Sequence, residues 1–195
     1  MKDILLTALV GYISFFVALF VHESAHSWMA WRKGAADGPL SIRYLPYLFL
    51  PISPHLDDDK YNRLPSSDKV KILLAGVGMN LIVWGVSLVL LGMWRAQLPQ
   101  YWQVFLLFLA LANMAEWASY LTVGAIYPIS DIKLVLAELP RLSAAVFYLP
   151  GVALLTIGIY LMSNLIPPDQ RTLYWVYFAV VFLLLSGSRV LLTSN

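Results

Sequence analysis

Five long apolar segments set the fold of this chain. They run over Ile4–Trp31, Val70–Trp94, Trp102–Ala125, Leu142–Met162 and Leu173–Leu192. A helix of about 20 apolar residues crosses the hydrocarbon core of a bilayer. Because proline and polar clusters separate the segments, the sequence predicts an all-α polytopic membrane protein with about five transmembrane helices.

The composition agrees with this class and excludes several kinds of site. Of the 195 residues, 60% are hydrophobic and 12% are charged, so the lipid bilayer is the expected surrounding. The chain has no cysteine, so disulfides and thiolate metal sites are excluded. The net charge is only +2, and no basic cluster is interleaved with aromatic residues, so nucleic acid is not an expected partner.

The first loop, Gly34–Lys69, contains a second apolar stretch. Ser41–Ile52 is apolar and aromatic with two prolines, and it is too short to span a bilayer. The sequence therefore predicts an interfacial or re-entrant segment after the first helix. Two interpretations stay open: a strand edge that holds an unwound peptide through main-chain hydrogen bonds, or a purely structural interfacial loop.

The first apolar segment carries ionisable groups near its end. His22, Glu23 and His26 form an HExxH pattern directly after the largely apolar run from Ile4 to Val21. Ionisable groups inside a membrane span are costly and usually serve a function. On a helix the two histidines share one face, about 6 Å apart along the axis. This spacing suits two nitrogen ligands on one zinc ion, with Glu23 placed to take a proton from water.

A catalytic zinc site needs a third protein ligand. Asp131 is the first candidate because a carboxylate reduces the charge of a buried metal ion, although it could instead cap a helix that begins at Ile132. Glu116 lies inside the third span and is an alternative ligand, a partner of a ligating histidine, or a packing residue. His55 reaches the site only if its loop folds inward, and Asn80 is the weakest ligand of the four.

Basic residues predict the orientation in the membrane. Three lie on one side, Lys2, Arg95 and Arg171, and ten lie on the other: Arg32, Lys33, Arg43, Lys60, Arg63, Lys69, Lys71, Lys133, Arg141 and Arg189. Positive charge collects on the cytoplasmic side. We therefore expect the N-terminus outside and the HExxH pattern in the cytoplasmic half of the bilayer.

Three short segments together resemble a known family. Phe20–Ala30 contains the HExxH pattern, Ala75–Asn80 reads AGVGMN, and Tyr127–Asp131 reads YPISD. They are similar to the HExxH, AGPxxN and NxxPxPxLDG motifs of the site-2 protease family of intramembrane zinc metalloproteases, of the compact bacterial and archaeal type. The resemblance covers about residues 4–136. The third motif departs from the family pattern, with Val123, Ile126 and Ile132 where the family has Asn, Pro and Gly.

The resemblance implies an activity and a set of roles. One zinc ion per chain is held by His22, His26 and Asp131, with Glu116 as the alternative third ligand, and Glu23 is the general base. The enzyme is then a zinc metalloendopeptidase that cuts transmembrane protein substrates in or near their membrane segments. Two alternatives from other classes remain: a catalytically silent homologue that binds membrane segments, and a zinc-handling membrane protein.

The other polar residues near the motifs receive supporting roles. Because the family's Asn is replaced by Val123, we expect Asn80 and Gly76 to support the substrate and the oxyanion, with Asn113 as a further amide. Helix packing is the alternative role for Gly76 and Asn80. His55, Glu116 and Asn113 are expected to be partners of the ligands or regulatory groups.

The resemblance also divides the chain. We expect residues 1–136 to form a catalytic core of three helices, and residues 137–195 to add two C-terminal transmembrane helices.

Overall fold

The fold was examined in a computed structural model, which describes residues 2–45, 50–126 and 131–192. Its long helices are α1 (Lys2–Arg32), α3 (Ser66–Trp94), α4 (Gln100–Leu121), α7 (Ala145–Leu165) and α8 (Arg171–Leu192). Short helices are α2 (Asp58–Asn62), α5 (Val123–Ile126) and α6 (Asp131–Glu138), and the two strands are β1 (Ile42–Tyr44) and β2 (Pro51–Pro54).

The prediction of five membrane-spanning helices is confirmed. Within the described residues, five helical stretches are long and apolar enough to cross a membrane. The observed bounds differ from the predicted ones by only a few residues at most ends. In the third span, α4 ends at Leu121, and after Thr122 the short helix α5 continues to Ile126.

Helix α4 forms the centre of the bundle. Every residue from Leu106 to Leu121 is buried, and α4 packs against α1, α3, α7 and α8. Small residues on α4 let the neighbouring helices approach: Ala110, Ala112, Ala115 and Ala118 are fully buried. The other long helices keep large apolar side chains exposed, as expected for surfaces that face lipid. The polar side chains of Asn113, Glu116 and Ser119 on α4 therefore lie inside protein and not in lipid.

The apolar segment after α1 forms a two-stranded antiparallel sheet. Arg43 of β1 pairs with Ser53 of β2, and the register shifts beside this pair, which leaves Ile52 without a partner in β1. The Ser27 hydroxyl accepts a hydrogen bond from the Ser41 amide at 2.7 Å, which fastens this loop to α1. Residues 46–49 of the predicted interfacial segment lie outside the described residues.

Ion pairs join neighbouring helices at one end of the bundle. Lys69 Nζ lies 3.2 Å from Glu138 Oε1, which joins the start of α3 to the end of α6. Lys33 Nζ lies 2.9 Å from Asp68 Oδ1, which joins α1 to α3. At the opposite end, Arg95 donates to the Leu165 carbonyl oxygen at 2.7 Å. The five-span connectivity places these two sets of residues on opposite sides of the bundle.

The two C-terminal spans pack against the same central helix, α4, as the first two spans do. Both α7 and α8 pack against α4. Tyr177 of α8 donates a hydrogen bond to the Gly11 carbonyl oxygen of α1 at 2.8 Å. The division of the chain at residue 136 stays a prediction.

Candidate metal centre

Both histidines of the HExxH pattern point into the bundle. His22 is fully buried and His26 is 4% exposed, and the two lie one turn apart on α1. They are about 15 and 9 Å along the axis from the end of α1 at Arg32. The Tyr120 ring of α4 stacks on the His22 ring with a centroid distance of 4.9 Å. Neighbouring helices therefore cover both imidazoles.

Three ligand atoms converge at one point. His22 Nε2 lies 2.9 Å from His26 Nε2. Asp131 Oδ2 lies 3.2 Å from His26 Nε2 and 3.6 Å from His22 Nε2. Ligands about 2.0–2.1 Å from a tetrahedral metal ion lie roughly 3.3 Å from one another. His22, His26 and Asp131 could therefore hold a metal ion.

The protonation of the rings supports this assignment. His26 Nδ1 lies 2.6 Å from the Ile72 carbonyl oxygen, and His22 Nδ1 lies 2.8 Å from Asn80 Oδ1. A carbonyl oxygen only accepts, so Nδ1 is the donor in His26. In a neutral imidazole the other nitrogen then carries a lone pair. If Nδ1 of His22 also donates, the Nε2 lone pairs of both histidines and the Asp131 Oδ2 atom face one another. A cation bound between these three atoms would remove their mutual repulsion.

Asp131 contributes negative charge to this group. Burial alone would raise the pKa of Asp131, but when His26 is protonated, its positive charge and the contacts with both imidazoles outweigh burial and hold that pKa below its usual range. Among the described residues, none forms a hydrogen bond of good geometry with the buried Oδ2 atom. Asp131 is the first residue of α6, and its carboxylate faces the imidazoles. An anionic oxygen in this position suits a bound cation.

Glu116 lies on a different side of His22. Its Oε1 atom is 3.8 Å from His22 Nδ1, whereas the metal-facing atom of the ring is Nε2. The side chain is 2% exposed and belongs to the central helix α4. The geometry therefore favours Asp131 as the third ligand and places Glu116 behind the ring of a ligand.

Gly76 is required by the close approach of α3 to the two histidines. A Cβ atom at this position would lie 2.6 Å from His22 Nε2 and closer still to His26 Nε2. Only glycine leaves the space that a metal ion between these nitrogens would use. The predicted packing role of Gly76 is therefore to let α3 lie against His22 and His26. By contrast, a Cβ atom at Gly78 would meet nothing within 4 Å.

Substitution of Gly76 should therefore disrupt metal binding. We expect Gly76→Ala to weaken zinc binding by roughly 100-fold, the upper end of effects from altered ligand surroundings. The Gly78→Ala variant adds the same methyl group to the same helix in open space and should bind zinc like the wild type. Titration of both purified variants with zinc against a competing chelator measures the difference. Equal affinity would contradict the position of the metal between the imidazoles.

Glu23 borders a cavity that also reaches the metal ligands. Its side chain is 8% exposed. The cavity measures about 390 Å³ and is lined by residues of α1, both strands, α2, α3, α4 and α6, among them His26 and Asp131. Two of its polar lining residues, Arg43 and Asp58, are exposed and mark its mouth, whereas Ser53 is half-buried. A polar ligand or water can therefore meet Glu23 and the metal group in one space.

Strand β2 forms one wall of this cavity. Ile52, Ser53 and Pro54 all line it. The shift of register at Ile52 disrupts the pairing with β1 beside the site, a position where bulges are common. Strand β2 therefore lies beside the site, and the choice between a peptide-binding strand edge and a structural loop stays open.

Asn80 and Asn113 lie behind His22 and not in the cavity. Asn80 Nδ2 donates to the Ala18 carbonyl oxygen at 3.2 Å and to Asn113 Oδ1 at 3.0 Å. Asn80 Oδ1 contacts His22 Nδ1, so both ends of this amide are engaged. The expected role of Asn80 as an oxyanion donor therefore finds no free N–H in this arrangement.

His55 lies away from the metal ligands. Its Nδ1 accepts a hydrogen bond of 3.0 Å from Arg43 Nε, and its side chain is exposed. The contact orients Arg43 at the mouth of the cavity. His55 is thus a partner of a cavity residue and not a ligand in this arrangement.

Tyr120 and Tyr61 also border the cavity, and sequence reasoning missed both. Tyr120 lies seven residues after Asn113 and four after Glu116, on the same face of α4 as both. Three polar residues on one face of a single span could have indicated Tyr120 from the sequence alone. Tyr61 has a pKa raised first by burial and then by the charges of Glu138 and Asp131, so its phenol stays neutral and can donate.

Comparison with known proteins adds no family to these observations. No protein-family model matches the chain, and no curated protein or solved structure shows significant similarity to it. The residues and their geometry therefore carry the functional argument.

Proposed function

We propose that this protein is an intramembrane zinc metalloprotease that hydrolyses peptide bonds in or near the transmembrane segments of membrane proteins. One observation carries the proposal: of the group formed by His22, His26 and Asp131, His26 and Asp131 line the same cavity as Glu23. Two imidazoles and one carboxylate leave a fourth position open on a tetrahedral zinc ion, as catalytic zinc sites do.

The chemistry divides between the metal and the chain. Zinc, when bound, acts as a Lewis acid that polarises a carbonyl oxygen and makes water acidic enough to attack near neutral pH. His22 and His26 present their Nε2 atoms, and Asp131 supplies negative charge beside them. These residues orient the reaction centre.

Glu23 is the proposed general base. It takes a proton from the attacking water as the new C–O bond forms, and it then passes that proton to the nitrogen of the leaving amine as the peptide C–N bond breaks. Its place in the shared cavity brings it near the ligands without making it one of them. Tyr61 borders the same space and can donate a hydrogen bond to the substrate carbonyl.

The substrate must unwind to be cut. Peptide bonds in a helix are hydrogen-bonded and covered by side chains, so helix-breaking residues are expected near the cleavage site. An unwound strand can lie beside β2, whose residues line the cavity. A photo-crosslinking group at Ile52, which is 51% exposed, should then capture a substrate segment. Capture only by positions on α7 or α8 would exclude this route.

The proposal includes the orientation of the protein in the membrane. Ten basic residues against three place the N-terminus outside and the site in the cytoplasmic half of the bilayer. The cavity mouth lies on the side of Arg43 and Asp58, where water would enter from the cytoplasm. The resemblance of the three motifs to site-2 proteases supports the same reaction class.

Zinc removal tests the proposal. The protein is reconstituted in vesicles with single-span substrates. The substrates form a series in which the helix-breaking residues lie at successive depths in the bilayer. Cleavage should stop when zinc is chelated and return when about one zinc per chain is restored. Cleavage that persists without metal would contradict the proposal. Zinc binding with no cleavage of any substrate would favour a silent binding module, and zinc uptake into vesicles would favour a zinc-handling protein.

A further inference from the structure

A chain of hydrogen bonds runs from the central helix to the metal group. Asn113 Nδ2 donates to the Leu109 carbonyl oxygen at 2.8 Å. Asn80 Nδ2 donates to Asn113 Oδ1 at 3.0 Å, and Asn80 Oδ1 lies 2.8 Å from His22 Nδ1. Asn80, Asn113 and His22 are all 0% exposed. We refer to Asn113 and Asn80 together as the amide relay.

The direction of the amide relay is fixed by main-chain groups. The carbonyl oxygens of Leu109 and Ala18 only accept hydrogen bonds, so the NH2 groups of Asn113 and Asn80 must face them. Asn80 therefore turns its oxygen to His22, and Nδ1 of that ring carries the hydrogen. The lone pair of the neutral ring then lies on Nε2, the atom that faces His26 and Asp131.

We propose that the amide relay holds His22 in its metal-binding tautomer, which makes Asn80 and Asn113 positioning residues for the metal. This inference rests on the metal site of the proposed function. Without an acceptor at Nδ1, the hydrogen of the ring can move to Nε2, where it blocks the metal. The relay also fixes the plane of the ring, because it ties α1, α3 and α4 together at this point.

Two other groups near His22 do not replace the amide relay. Glu116 Oε1 lies 3.8 Å from Nδ1, beyond hydrogen-bond distance, whereas Asn80 Oδ1 lies at 2.8 Å. Tyr120 stacks on the face of the ring and so restrains its tilt, but stacking does not select a tautomer. Selection of the tautomer therefore falls to Asn80, and Asn113 acts only through Asn80.

This serial arrangement predicts a specific pattern of affinities. Loss of a hydrogen-bond partner of a metal-ligating histidine typically costs 10- to 100-fold in metal affinity. We expect Asn80→Leu to weaken zinc binding by this amount and Asn113→Leu by roughly tenfold. The double variant should bind zinc no more weakly than Asn80→Leu, because Asn113 has no path to the metal once Asn80 is gone.

The experiment compares these variants with a matched control. Ser87→Ala removes a buried hydroxyl from the same helix α3, one whose hydrogen bond goes to Val83 in its own helix. Zinc affinity is measured by competition with a chelator, and the visible spectrum of bound cobalt reports the geometry of the ligands. Ser87→Ala should match the wild type in both. Asn80→Leu should lower the affinity and change the spectrum.

Each result bears on a different claim. If the wild type binds zinc and Asn80→Leu binds it equally well, the relay is wrong and the metal site stands. If the wild type binds no zinc, the metal site and the relay both fall. Additive losses in the double variant would indicate separate structural effects and overturn the relay. If Asn80→Leu does not fold, Asn113→Leu decides, since it leaves every contact of His22 in place, and affinity equal to that of Ser87→Ala overturns the proposal.

Discussion

Glu23→Gln should abolish cleavage while the protein keeps its zinc. Glutamine has nearly the shape of glutamate but cannot accept the proton of the attacking water. Loss of a general base typically slows a reaction by about 100- to 10,000-fold. Because Glu23 is not one of the three converging ligands, the metal content should stay near that of the wild type. The rate of substrate cleavage and the bound zinc per chain, measured on one preparation, check both parts.

A matched substitution controls for the change of charge. Asp169→Asn makes the same carboxylate-to-amide change at an exposed position between α7 and α8. It should leave cleavage and zinc unchanged. If Glu23→Gln cleaves as fast as the wild type, the assigned base is wrong and the protease proposal fails with it. Loss of zinc from Glu23→Gln would instead make Glu23 a ligand.

Most of the fold could be predicted from the sequence because the bilayer imposes a simple rule. Each span must satisfy its backbone hydrogen bonds internally, so apolar runs of sufficient length become helices. The five runs therefore gave the five spans, with end positions shifted by a few residues. The central place of α4 could not be read from hydropathy, since this depends on packing among helices. Its alanines together with Asn113 and Glu116 are the signal that a polar face lies inside protein.

The metal ligands were predictable to different degrees. The spacing of His22 and His26 fixes their common face on one helix, so α1 alone brings them together. Asp131 lies 105 residues after His26, and only the tertiary packing of α6 places it at 3.2 Å. Its preceding residues, Tyr127–Ser130, include the proline of the third motif and lie outside the described residues.

The role of Asn80 shows a limit of motif reasoning. A polar residue one turn beyond Gly76 is expected near the metal, but its hydrogen bonds decide its function. Two donors and one acceptor of the amide are engaged behind His22, so the group cannot also donate to a substrate. Sequence spacing fixes the face of a helix and not the direction of an amide. Tyr61, which lines the cavity, is the donor proposed for the substrate instead.

Asp131→Asn should weaken zinc binding far more than Glu116→Gln. The first change removes the negative charge of the Asp131 carboxylate, whose Oδ2 atom lies 3.2 Å from His26 Nε2 and 3.6 Å from His22 Nε2. Loss of a direct ligand should exceed the 100-fold upper range for indirect partners, so we expect a decrease of more than 100-fold. The second change makes the same chemical substitution at a carboxylate on the Nδ1 side of His22. We expect its effect to stay within about tenfold.

Competition titration with zinc measures both affinities, and cobalt spectra report whether a ligand is lost. Each variant is the control of the other, because both replace a carboxylate beside the His22 ring with its amide. If Glu116→Gln empties the site while Asp131→Asn retains zinc, the third ligand is Glu116 and the arrangement around His22 must change on metal binding. Such a change would have to turn His22 so that Nδ1 faces the metal, which would break its contact with Asn80. The titration thus decides between two ring orientations as well as between two carboxylates.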